Sequence, residues 1–62
     1  MKDYYVTKSG EQFELRQTRF EDEFKKGKEH PHDLCAAGFT KKGMIQVIAS
    51  YFQGKVDTRG LV

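Results

Sequence analysis

A chain of 62 residues has room for one domain, and a domain of that size buries only about 60% of the surface its unfolded chain exposes. Cys35 is the only cysteine, which excludes an internal disulfide and suits a reducing compartment. Eleven Lys and Arg against nine Asp and Glu leave a net charge of +2, too weak a bias for a dedicated nucleic-acid binder.

The elements follow in chain order. Residues 3–17 read as a β-hairpin. Tyr4 to Lys8 and Gln12 to Arg16 are rich in β-formers or alternate apolar with polar, and Ser9-Gly10 lies between them as a turn signal. A two-residue loop there sets Val6 against Phe13, Tyr4 against Leu15 and Lys8 against Glu11. Tyr5 then points away from the apolar face. A three-residue loop with Gly10 as a bulge is the alternative, and it inverts that assignment.

Residues 18–27 predict a short helix. Thr18 and Glu21 have the spacing of a capping box. Acidic residues fill the first turn and Lys25 and Lys26 the last, as the helix dipole prefers. Gly27 suits the left-handed position that ends a helix. Phe20 and Phe24, four apart, share one face.

Residues 31–37 predict a second short helix, opened by Pro31 and ended by Gly38. Residues 40–53 predict the main helix. Met44, Ile45, Val47, Ile48, Tyr51 and Phe52 form its stripe, with Thr40 as cap and Gly54 as stop. The alternation of Ile45, Val47, Ala49 and Tyr51 leaves a strand reading open over 44–52, but the helix is preferred. The tail, 54–62, ends free or adds a short edge strand through Val56, Asp57 and Thr58. The fold class expected is therefore α+β: an N-terminal hairpin packed against two or three short helices. Its expected core is Val6, Phe13, Leu15, Phe20, Phe24, Leu34, Ile45, Ile48 and Phe52.

No apolar run approaches the roughly 20 residues of a membrane span. The opening residues also lack the apolar stretch of a secretory signal, so a soluble, cytoplasmic chain without membrane contact is expected.

Four functional readings compete. The first is docking onto a larger protein partner, or self-association as a homodimer. Eight aromatic residues are more than so small a core can hide. Tyr5, Arg16, Arg19, Phe39 and Tyr51 are the candidate contacts, because exposed aromatics beside Arg make interface hot spots. Small domains also leave ordinary apolar area exposed. The second reading is nucleic-acid binding. Helices over 31–37 and 40–53 make a loose helix-turn-helix outline. It would present Lys41, Lys42, Gln46, Ser50 and Gln53 to phosphates or base edges. The same residues also describe an ordinary solvated face.

The third reading is a metal site at His30, His32 and Cys35. Structural zinc sites usually draw ligand pairs from two separated segments, and here one cluster stands alone. A free cysteine beside Leu34 and Ala36 also serves as a small hydrophobe. The fourth, catalysis, is disfavoured, since His30, His32 and Cys35 are sequence neighbours rather than groups assembled from distant segments. No cofactor-binding motif is present. The expectation is a small non-enzymatic accessory or inhibitory protein, with the DNA-binding regulator as the alternative.

Overall fold

The computed structural model describes residues 2–61. They form one four-stranded mixed sheet with two helices. The hairpin consists of β1 (Tyr4–Ser9) and β2 (Gln12–Gln17). Its loop is Gly10-Glu11, one place beyond Ser9-Gly10: Val6 pairs with Leu15, Lys8 with Phe13 and Ser9 with Gln12. Gly10 has φ 65°, as a type II′ hairpin turn requires at its first position. Each partner thus moves two residues along β2 from the expected register. Because side chains alternate with period two, that shift leaves the faces unchanged. Val6, Phe13 and Leu15 share the buried apolar side, and Tyr5 pairs with Arg16 on the other.

After β2 the chain makes a 3-10 turn, Thr18–Phe20, and then the short helix α1 (Glu21–Lys25). The expected capping box does not form. Neither of these elements has a side-chain cap. Thr18 is held instead by its backbone, whose N–H donates to the Asp3 carbonyl at 2.9 Å. Gly27 follows α1 with φ 83°, as expected of a residue that ends a helix.

Residues 31–37 do not form a helix. After a turn they enter β3 (Leu34–Phe39), antiparallel to β2. Phe13 pairs with Phe39, Leu15 with Ala36 and Arg16 with Leu34. β3 therefore advances three residues while β2 advances two, and again two while β2 advances one. Both irregularities are bulges on β3, one of them spanning Gly38 at φ 83°. A strand so interrupted shows no regular alternation in its sequence.

Thr40 caps α2 (Lys41–Tyr51), its hydroxyl oxygen accepting from the Gly43 N–H at 3.2 Å. The helical reading of this segment is correct. Val56–Asp57 forms β4, which pairs parallel with β1 and fixes the sheet order as β3-β2-β1-β4. A second 3-10 turn, Thr58–Leu61, then folds over β1. Gly60 makes this crossing possible. A Cβ there would overlap the Val6 carbonyl oxygen.

The core comprises Val6, Phe13, Leu15, Met44, Val56 and Leu61, with Tyr4, Ala36, Phe39, Ile48 and Phe52 packed around it. Phe20 is buried as expected, and with Phe24 it lies outside this cluster. Leu34 and Ile45, expected in the core, are 45% and 49% exposed. The buried edge of α2 runs through Met44, Ile48 and Phe52, one residue round the helix from Ile45. Among the described residues no helix is long and apolar enough to cross a membrane.

Candidate functional site

The two faces of the sheet differ in chemistry. The apolar face packs on α2. The other buries an ionic cluster around Arg16, which is 5% exposed. Its Nη1 donates to Asp33 Oδ2 at 2.9 Å and its Nη2 to Glu14 Oε1 at 3.1 Å. Glu29 lies 3.8 Å from Nη2. The Phe24 ring from α1 covers the guanidinium at 3.9 Å, a cation–π contact strengthened by desolvation. Burial works against the Arg16 charge, but the hydrogen bonds to Asp33 and Glu14 outweigh it and hold the group above its ordinary pKa.

Asp33, 1% exposed, also accepts from the Gln17 N–H at 3.1 Å. It therefore ties the segment before β3 to the end of β2. Tyr5 lies on the same face. Burial first, then the nearby Asp33 and Glu21 carboxylates, raise its phenol pKa. The Tyr5 hydroxyl and Arg16 Nε are buried and find no hydrogen-bond partner among the described residues.

This geometry divides the residues expected to contact a partner. Tyr5 and Arg16 are inside the protein, contrary to their expected exposure. Pairing sets both on the face that α1 and the segment before β3 cover. Arg19 is exposed, with its guanidinium 4.6 Å from the Phe20 ring. Phe39 and Tyr51 share one groove. Gly43, Gln46, Val47 and Ser50 also line it, between the end of β3 and α2. Phe39 is half-buried there, and Tyr51 is 79% exposed.

Sequence reasoning passed over Gly43 and placed Val47 only in the apolar stripe. The signal was present: Gly43, Val47 and Tyr51 recur every four residues and so share one side of the helix. Leu34 was assigned to the core. It lines a second hollow, with Arg16, Glu29, His30 and Pro31, on the ionic face. The two hollows therefore adjoin the same strand, β3, whose outer edge has no neighbouring strand among the described residues. From Leu34 to Val56 the chain carries Lys41, Lys42 and Lys55 and not one Asp or Glu.

Lys41, Lys42, Gln46, Ser50 and Gln53 are all exposed. The helix expected to precede them is β3, so the helix-turn-helix outline is absent. His30, His32 and Cys35 do not converge as ligands. Among the described residues no group of three or more His, Cys, Asp or Glu side chains is placed to hold a metal. The His30 ring stacks on Phe20 with centroids 4.0 Å apart, and its Nδ1 accepts from the His32 N–H at 3.2 Å. The Cys35 thiol points at the Asp33 carbonyl oxygen, 3.6 Å away. Partial desolvation, together with the Asp33 carboxylate, pushes its pKa up, which disfavours the reactive thiolate.

No protein-family model, curated protein or solved structure matches this chain.

Proposed function

We propose that this chain is a small non-enzymatic accessory protein that docks onto a larger protein through β3 and the adjoining flank of α2. One observation carries the reading: Tyr51, 79% exposed, lines a groove together with Phe39, Gly43, Gln46, Val47 and Ser50. An exposed tyrosine beside an apolar groove is the usual anchor of an interface, since it supplies large contact area with few rotatable bonds.

The test is affinity capture with the intact chain, followed by Tyr51→Ala and Arg19→Ala. One dominant partner lost with Tyr51→Ala and kept with Arg19→Ala, both variants folded by circular dichroism, is the expected result. A partner indifferent to Tyr51, or none that recurs, rejects this surface.

A second reading rests on the acid-free, lysine-bearing α2. Lys41, Lys42, Gln46, Ser50 and Gln53 would then contact the backbone of a nucleic acid. Phosphate neutralisation releases counterions, so affinity should fall steeply with salt and vanish in Lys41→Glu or Lys42→Glu. Binding that ignores salt rejects this reading.

A further inference from the structure

We propose that the occupant of this surface is a short extended segment of a partner protein that adds as a strand to the free edge of β3 and carries acidic residues beside Lys41 and Lys42. The inference rests on the docking role above and specifies its geometry. Three observations lead to it.

The first is the edge itself. β3 is an outer strand of the sheet, and its six residues, Leu34 to Phe39, include no charge and no proline. Natural edges are commonly guarded by such residues. An open edge offers backbone N–H and C=O groups to another chain, the basis of recognition by strand addition. The two bulges of β3 increase its twist. That suits a short segment and discourages the open-ended stacking a flat edge invites.

The second observation is that a hollow lies on each side of the sheet along this strand. The Phe39, Val47 and Tyr51 groove lies on the α2 side, and the hollow at His30, Pro31 and Leu34 on the ionic side. Side chains of an added strand alternate between the two faces. The two hollows lie at opposite ends of β3, at Leu34 and at Phe39, so a residue near one end of the segment would enter the first and a residue on the other face near its far end would enter the second.

The third is charge. Lys41 and Lys42 follow β3 directly, and no acidic residue occurs from Leu34 to Val56. Nothing in that stretch neutralises the lysines, so the complementary segment is acidic at the end that meets them. A second copy of this chain would offer the same acid-free stretch and supply no such complement.

The experiment is selection of binders to the folded chain from a random dodecapeptide library. It is followed by amide hydrogen exchange of the 15N-labelled protein with the best peptide. The expected sequences alternate apolar residues, lack proline in their centre and carry Asp or Glu at one end. They should slow exchange at amides within 34–39. Lys41→Glu with Lys42→Glu, both exposed and expected to leave the fold intact, should weaken binding about tenfold. Enriched peptides that protect other amides, are basic, or bind the double variant equally would overturn strand addition while leaving a docking role standing. Failure to enrich any peptide, combined with salt-sensitive binding of duplex DNA, would overturn both. A concentration-dependent dimer that protects 34–39 by itself would replace the acidic segment with a second copy and overturn this proposal.

Discussion

Asp33→Ala removes one carboxylate from the most buried ionic contact of the fold. Its cost follows from what stays behind. Arg16 is 5% exposed and sits under the Phe24 ring, so its charge cannot easily reach water. Truncating one member of a buried pair typically costs 3–5 kcal/mol. Glu14, still 3.1 Å from Nη2, keeps partial neutralisation in place. The Gln17 N–H retains a second acceptor, the Asp33 carbonyl oxygen at 3.2 Å. Both points favour the lower bound, about 3 kcal/mol.

At roughly 0.05–0.15 kcal/mol per residue, a chain of 62 residues has about 3–9 kcal/mol of stability in all. The variant should therefore sit at the margin of folding. In urea, with a slope of about 1 kcal/mol per molar, the midpoint should fall by about 3 M. Tyrosine fluorescence and far-ultraviolet circular dichroism can both follow it. Arg16→Met combined with Asp33→Ala removes the stranded guanidinium as well and should recover part of the loss, because apolar replacement of a whole buried pair is often near neutral, although the partly exposed Glu14 carboxylate loses its Arg16 partner. A loss below about 1 kcal/mol, the size of an exposed ion pair, would refute this account. So would a double variant no more stable than Asp33→Ala alone.

Three further outcomes are expected. Gly60→Ala forces a methyl group against the Val6 backbone; lifting the last turn and Leu61 away should cost about 1–3 kcal/mol, read from the same melts. Met44→Ala, at a fully buried position, should cost about 2–5 kcal/mol, whereas Ile45→Ala, half exposed, should stay within about 1 kcal/mol. Equal losses at the two positions would show that α2 is rotated from the orientation described. The third concerns acid. Hydrogen bonds from the Arg59 side chain and backbone lower the Asp57 pKa from 3.8 to about 2. A depressed carboxyl pKa stabilises the fold above its unfolded value, and that contribution disappears as pH falls from about 4 through 2. Carboxyl chemical shifts should place the Asp57 midpoint near 2, and Arg59→Ala should return it toward 3.8.

Local patterning was enough to specify the hairpin, α1 and α2. The apolar alternation about Val6, Phe13 and Leu15 marked which face would be apolar even though the turn lies one residue later than Ser9-Gly10 suggests. Faces depend on parity, and a two-residue change of partner preserves parity. The stripe and Thr40 cap marked α2 for the same reason: helix periodicity and capping are written in neighbouring residues. The docking groove was partly legible. Phe39 and Tyr51 were singled out as aromatics, but that they line one groove depends on how α2 packs beside β3.

Tertiary structure alone decided β3, β4 and the interior role of Arg16. Leu34 to Phe39 becomes a strand because β2 offers it a hydrogen-bonding edge, which outweighs the weak helical preference of Leu34, Ala36 and Ala37. Val56 and Asp57 join β1 because Gly60 lets the backbone approach Val6 closely. Arg16 can be buried only because Asp33, 17 positions away, arrives to neutralise it. No local pattern announces such a partner, because the sequence encodes the charges separately and only the folded chain brings them together.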